Sequence, residues 1–182
     1  KPSWLVNANH VPIPQPGGKY QNTRALMRWA CQSGLVPDKF IYSNDDIWWL
    51  TPETPMLHGG PFSKYVLRLS NSYARGGRET LKLLRAQGYA DPTSWSLHTP
   101  IVVHKEPMRA ALALAGNSAH AIHVRTLYGN IAELEGAQHR DVKIHGVGLP
   151  EAGWPYVSTS DDAWQRRQIG PWIRSRFADP SR

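Results

Sequence analysis

The chain is poor in cysteine and in acidic residues. Of its 182 residues one is a cysteine, and 14 Asp and Glu stand against 21 Lys and Arg. With Cys31 as the single cysteine, the sequence excludes a disulfide framework within the chain and a thiolate metal centre. Such cysteine usage is typical of a reducing compartment, so we expect a cytoplasmic protein.

Long apolar runs are also lacking. No stretch approaches the length needed to cross a bilayer, and no charged segment followed by an apolar one opens the sequence. We therefore expect neither a membrane span nor a signal peptide. A hydrophobic content of 41% allows one continuous core over this length, and we expect a single domain over residues 1–182.

The positive charge and the tryptophan content are the two unusual features of the composition. A net charge of +7 favours polyanionic partners such as nucleic acid, nucleotide diphosphates or an acidic membrane surface. Eight Trp provide flat faces that can stack on a sugar or a base, although core packing is their commoner use. The basic residues between Lys64 and Arg85 form either a solvated helix face or an acceptor-binding surface.

Hydrophobic periodicity predicts an alternation of helices and short strands. Helices are expected over 20–32, 79–87 and 106–115, and from Ser160 or Asp161 towards Phe177 with a break at Gly170 and Pro171. Strands are expected at 4–6, 40–42, 95–103 and 141–144, and a flexible loop at 52–61. This alternation favours a mixed α/β domain.

The most informative segment is KFIYSNDDIWWLT, residues 39–51. Its apolar run ends on Asn44, Asp45 and Asp46, so we expect a buried strand that delivers two carboxylates to its end. A carboxylate at the rim of a buried strand stays ionised when water, a cation or a metal neutralises it. The alternative is that Asp45 or Asp46 caps the following turn.

Other candidate site residues are a histidine, an arginine and a lysine. His98 lies in HTP, residues 98–100, and Arg125 opens RTLYGN, residues 125–130. Taken singly, His98 fits a satisfied buried histidine as well as a catalytic one, and Arg125 fits a salt-bridge partner. Lys19 stands just before the first predicted helix, where free N–H groups can bind a phosphate, or it is an exposed loop lysine.

Together these blocks resemble the Stealth family of sugar-phosphate transferases and related phage and capsule glycosyltransferase-like proteins. The matching segments are FIYSNDDIWWLTP, SLHTPIVVHKE, RTLYGN, DVKI at 141–144 and the ending from 158 to 181, and the resemblance spans Trp4 to Ser181. It implies a GT-A-like nucleotide-sugar fold with one mixed sheet flanked by helices. The amino-terminal nucleotide-binding element of that family does not precede Trp4, so we expect it to be missing from this sequence.

The resemblance also implies roles for individual residues. Asp45 and Asp46 would hold a divalent metal, Mn or Mg, and Asp46 would also act as a catalytic residue. His98 would lie near the transferring group, and Arg125 would bind the diphosphate. Substrate contacts are expected from Lys19, Asn22, Asn44, Trp48, Tyr128 and Asn130.

The favoured function is a glycosyltransferase that moves a sugar from a nucleoside-diphosphate sugar, such as a UDP-linked one, to an acceptor hydroxyl. A polyanionic acceptor fits the charge, for example a hydroxymethylated base in phage DNA, which would place the enzyme in the host cytoplasm. The alternatives are a hexose-1-phosphate transferase for surface polysaccharide and a non-catalytic nucleic-acid-binding domain. A nuclease is less favoured, because the candidates for a third carboxylate, Asp141, Asp161 and Asp162, lack convincing spacing.

Overall fold

The computed structural model describes residues 9–15 and 17–177, apart from the side chains of residues 71 and 72. The strand expected at 4–6 lies outside the described residues. The helices are α1 (Lys19–Gln32), α2 (Phe62–Val66), α3 (Asn71–Ala86), α4 (Lys105–Ala115), α5 (Val124–Ile131), α6 (Asp161–Arg166) and α7 (Ile169–Arg176). The strands are β1 (Lys39–Tyr42), β2 (Ile47–Trp49), β3 (Leu57–His58), β4 (Ile101–His104), β5 (Ala137–Gln138), β6 (Lys143–Ile144) and β7 (Tyr156–Thr159).

The predicted mixed α/β class is confirmed, but the described strands form three small sheets instead of one. β1 pairs antiparallel with β4. The order β2-β7-β6 makes a mixed sheet, with β7 antiparallel to β2 and parallel to β6. β3 and β5 form a two-residue parallel ladder. The acidic pair therefore lies in the turn between two strands of different sheets.

The largest hydrophobic cluster lies around α4, which packs against α1, α5 and β4. Its completely buried members include Cys31, Met108, Leu127 and Tyr128. Two smaller clusters stabilise the three-stranded sheet, one around Tyr156 and one that packs β7 against α6 and α7. These clusters fix the ends of β1, β4 and α5, from which the candidate site is built.

Several helix predictions are confirmed, and one boundary moves. α1 and α4 begin one residue before their predicted starts, and the Oγ of Ser160 caps α6 by accepting from the Ala163 N–H. α3, however, begins eight residues earlier than its predicted start at Glu79. The sequence pattern does not predict that part of the helix because it contains Gly76 and Gly77, and glycine is unfavourable in a helix interior. A side chain at Gly76 would collide with the main chain of Ala121, so close packing requires glycine there.

The strand predictions are less accurate. β1 was expected to be buried, but its residues alternate between exposed and half-buried, and Ile41 is 45% exposed. A two-stranded antiparallel sheet can leave one face in water, which explains this pattern. Of the expected 95–103 strand only residues 101–103 belong to β4, which continues to His104. The loop at 52–61 contains the short strand β3, and the RTLYGN segment lies within the buried helix α5.

No helix in the ranges 9–15 and 17–177 combines the length and the apolar character that a bilayer span requires.

Candidate functional site

A central cavity of about 390 Å³ brings together four of the predicted site residues. Lys19 comes from the first turn of α1, Asn44 from the segment after β1, His98 from the loop before β4, and Arg125 from the first turn of α5. Residues separated by more than a hundred positions therefore share one concave surface. A cavity with converging polar groups is the usual form of a small-molecule site.

His98 is held by Asp141 through two contacts. The main-chain N–H of His98 donates to Asp141 Oδ1 at 3.0 Å, and its ring Nδ1 lies 2.8 Å from Asp141 Oδ2. Burial raises the pKa of Asp141, but the bonds from His98 lower it more, and the net pKa is below the ordinary value. Because an Nδ1 that faces a carboxylate carries its proton, Nε2 is left as the basic nitrogen.

Arg125 is a cation with an incomplete set of partners. Its Nη2 donates to the Thr99 carbonyl at 2.6 Å, and its Nε is buried with no hydrogen-bond partner among the described residues. Burial lowers the pKa of Arg125 to about 10, opposed by Tyr42 and Asp141, so the guanidinium stays charged at neutral pH. A desolvated guanidinium with a free N–H is suited to bind an oxyanion.

Asp46 is bound by side chains from the neighbouring sheet. Its Oδ2 accepts from Lys143 Nζ and from Ser158 Oγ, each at 2.9 Å. Burial raises the pKa of Asp46, but these two hydrogen bonds and the nearby charges of Lys143 and His98 lower it below the ordinary value. Its Oδ1 is buried without a hydrogen-bond partner among the residues described.

The acidic pair lies beside the cavity and does not line it. Asp45 is exposed, and both aspartates lie in the turn before β2. Burial raises the pKa of Tyr42, a cavity residue, and the charges of Asp45 and Asp46 raise it further. The two carboxylates are thus close enough to act electrostatically on the cavity.

A preformed metal centre is not seen in the described part of the chain, where no three His, Cys, Asp or Glu side chains cluster suitably. The buried Oδ1 of Asp46, unpartnered among the described residues, and the exposed carboxylate of Asp45 are nevertheless oxygen ligands of the kind that Mg²⁺ and Mn²⁺ prefer. A divalent ion held by these two residues would complete its coordination with water or with phosphate oxygens of a substrate.

Two residues predicted to bind substrate are internal to the fold. Tyr128 is fully buried, and its hydroxyl donates to the Val102 carbonyl and accepts from the His104 N–H. The Asn130 side chain accepts from the main-chain N–H of Thr93 and donates to its carbonyl. These side chains connect α5 to its neighbours, and the structure does not bring them to the cavity.

Two further predicted contacts lie elsewhere. The Asn22 side chain donates to the Gly17 carbonyl and accepts from the Gly17 N–H. These two hydrogen bonds hold the loop before α1 against the helix. The ring of Trp48 stacks on that of Trp164, with centroids 5.2 Å apart, on the α6–α7 side of the three-stranded sheet. Neither residue lines the central cavity.

Sequence reasoning missed the partner of His98 and the aromatic wall of the cavity. The sequence offers Asp141 only as a candidate third carboxylate, and the matching block DVKI is the signal that points to it. The wall contains Tyr65, Tyr73 and His123, with both tyrosine rings edge-on to the imidazole. Ser96 Oγ lies 2.9 Å from His123 Nδ1, and burial lowers the pKa of His123 to about 4, so this histidine is neutral at physiological pH.

Comparison of the chain with models of protein families, with curated proteins and with solved structures finds no match.

Proposed function

We propose that the protein is a glycosyltransferase that moves a sugar from a nucleoside-diphosphate sugar to an acceptor hydroxyl, on a GT-A-like fold of the Stealth-like type. The observation that carries the proposal is that His98, held by Asp141, lines the same cavity as Arg125 and Lys19. The cavity thus offers one base for the proton of the acceptor hydroxyl and two cations for the leaving diphosphate.

His98 is the general base of the proposed reaction. Its Nε2 accepts the proton of the acceptor hydroxyl while that oxygen bonds to the anomeric carbon of the sugar. The bond from the anomeric carbon to the diphosphate breaks at the same time, and the diphosphate leaves with the electron pair. Asp141 holds the ring orientation and stabilises the imidazolium that forms.

Arg125 and Lys19 stabilise the leaving diphosphate. Negative charge grows on that group during transfer, so cations that line the cavity lower the barrier more than they strengthen ground-state binding. The buried Nε of Arg125 is a donor without a partner among the described residues, and Lys19 lies at the amino end of α1. Asp45 and Asp46 would hold a divalent ion, which would supply further Lewis-acid stabilisation.

The acceptor in this proposal is a polyanion, such as DNA that carries a hydroxymethylated base. α3 starts beside the cavity with Tyr73 and then presents the exposed side chains of Arg75, Arg78, Lys82 and Arg85. This basic face supports an acceptor that runs along α3, with the target base turned out of the stack towards the cavity. Such an acceptor also fits a cytoplasmic enzyme.

The test is to incubate the protein with UDP-sugars and GDP-sugars, Mn²⁺ and hydroxymethylated DNA. The DNA is then digested, and the masses of its nucleosides are measured by mass spectrometry. The expected result is a mass gain of one sugar and release of the nucleoside diphosphate. His98→Gln should abolish it, whereas His104→Gln should retain it because His104 is exposed and does not line the cavity. Release of the monophosphate would instead indicate sugar-phosphate transfer.

DNA binding that is steeply salt-dependent, unaffected by Asp45→Ala and unaccompanied by any donor turnover would overturn the enzymatic proposal. That result would favour a non-catalytic nucleic-acid-binding domain.

A further inference from the structure

A second cavity, of about 310 Å³, lies between the first half of α1 and the loop that follows α4. Its walls include Gln21, Arg24, Arg28 and Asn117, and no carboxylate lines it. It shares only Arg24 with the central cavity, so His98, Arg125 and Asn44 belong to a different surface. The residues of this second cavity have no part in the transfer proposed above.

Arg24 is a buried cation whose charge is not neutralised. The residue is 3% exposed, and its guanidinium donates to the main-chain carbonyls of Ser118 and His120. Its Nε is buried and has no hydrogen-bond partner within the described ranges. Burial lowers the pKa of Arg24, and the positive charge of Arg28 lowers it further.

Arg28 adds a second cation, which is half-buried. It follows Arg24 by four residues, so both side chains lie on one face of α1. Its Nη2 donates to the Gly116 carbonyl at 2.7 Å, with Asn117 Oδ1 at 3.4 Å. Neither arginine forms a salt bridge in the part of the chain that the structure describes.

Two like charges at this spacing, one of them desolvated, disfavour the folded state unless an anion joins them. Carbonyl partners satisfy individual N–H groups but leave the net charge in place. An oxyanion would neutralise both cations and could accept from the free Nε of Arg24. Arginine is the side chain best matched to phosphoryl oxygens, because its planar fork donates to two of them.

We propose that the cavity between Arg24 and Arg28 binds a phosphoryl group, separately from the central cavity. Gln21 borders the same space, and its Oε1 is already occupied by the Gly18 N–H, which leaves the amide N–H₂ as a further donor. The phosphoryl group belongs either to a small phosphate ester or to a nucleic-acid backbone, which share this chemistry.

The test is a calorimetric titration of the protein with inorganic phosphate and with pyrophosphate at low ionic strength. Arg28→Gln should weaken binding by at least about tenfold, because a charge-assisted donor is lost. The matched control is Arg109→Gln: Arg109 is exposed, also donates to a main-chain carbonyl, that of Cys31, and lines neither cavity. This control should bind as the wild type does.

Arg125→Gln separates the two cavities and should leave phosphate binding at this site unchanged. Binding that survives Arg28→Gln but disappears in Arg125→Gln would overturn the proposal and leave the proposed transfer reaction intact. Absence of any phosphate binding would overturn it as well. If Arg28-dependent binding is found, competition by a short oligothymidylate identifies a nucleic-acid backbone, and phosphate binding that oligothymidylate does not displace identifies a small phosphate ester.

Discussion

Asp141 binds His98 at two points, the main-chain N–H at 3.0 Å and the ring Nδ1 at 2.8 Å. The two contacts fix both the position of the residue and the orientation of its imidazole. Asp141 immediately precedes Val142, which is completely buried, so the carboxylate is anchored by the core. The arrangement keeps Nε2 basic and available to the cavity, as general-base catalysis requires.

We predict that Asp141→Asn lowers the turnover number by about 10²- to 10⁴-fold, because the imidazole loses its fixed tautomer and the stabilisation of its charged form. Steady-state kinetics with the active donor would measure this loss. Nitrogen NMR of the imidazole should show that the Nδ1–H form of His98 is no longer dominant. Asp161→Asn, which replaces an exposed aspartate outside the cavity, is the control and should leave both readouts unchanged.

We predict that Arg125→Gln changes ligand binding and stability in opposite directions. The variant should bind nucleoside diphosphate at least about tenfold more weakly, because a charged donor to the phosphate is removed. Its free energy of unfolding should stay the same or rise, because the substitution also removes a desolvated cation that contacts no carboxylate in the described part of the chain. Calorimetry and urea unfolding measure the two effects. A less stable variant with unchanged diphosphate affinity would make Arg125 a structural residue.

Helices and polar clusters could be predicted from the sequence because both depend on neighbours along the chain. α4 was located by its alanine-rich pattern and α6 by its Ser160 cap. The division into three sheets depends on pairings such as β2 with β7, which are about a hundred residues apart. A local sequence pattern contains no information on such distant pairings. The same limit applies to His98 and Asp141, which are 43 residues apart.

Tyr128 and Asn130 show a second limit of sequence reasoning. The residue type alone does not distinguish a polar side chain that hydrogen-bonds main-chain groups in the core from one that binds a ligand. Their bonds to Val102 and Thr93 are visible only once α5 is packed. The sequence likewise does not show which Trp residues stack on a ligand and which pack in the core. Trp95, for example, is 2% exposed and packs in the core.

We predict that Lys143→Met costs about 1–3 kcal/mol of unfolding free energy, because it leaves the partly buried Asp46 carboxylate without its cation. The double variant with Asp46→Asn should recover part of that loss, and a double-mutant cycle in urea measures the coupling. Asp45→Asn, at an exposed position, should change stability by less than about 0.5 kcal/mol. If it also lowers Mn²⁺-dependent turnover, the acidic pair has a catalytic role.

The low pKa of Asp46 adds a pH dependence to the same experiment. Its stabilising contribution is complete above the ordinary carboxyl pKa of about 4 and is lost as the pH falls through the lower folded-state value. Wild-type and Asp46→Asn proteins should therefore converge in stability on acidification below about pH 4. An equal stability difference at pH 7 and at pH 3 would contradict the low pKa.

We predict that acidification from pH 7 to pH 5 destabilises the protein through His123. The pKa of this histidine is about 4 in the folded chain, below its ordinary value of 6.5, because burial disfavours the charged ring. The unfolded chain therefore binds the extra proton between these values, so stability rises with pH across this window and is complete above it. The linkage amounts to about 2 kcal/mol between pH 7 and pH 5.

Urea unfolding of wild type and His123→Phe at the two pH values isolates this effect, since the variant should lose about 2 kcal/mol of the pH dependence. His104→Gln, which removes an exposed histidine, should keep the wild-type dependence. The ring proton of His123 should also show no titration by NMR down to pH 5. A midpoint near 6.5 would mean that solvent reaches the imidazole between Tyr65 and Tyr73, and that this wall of the cavity opens in solution.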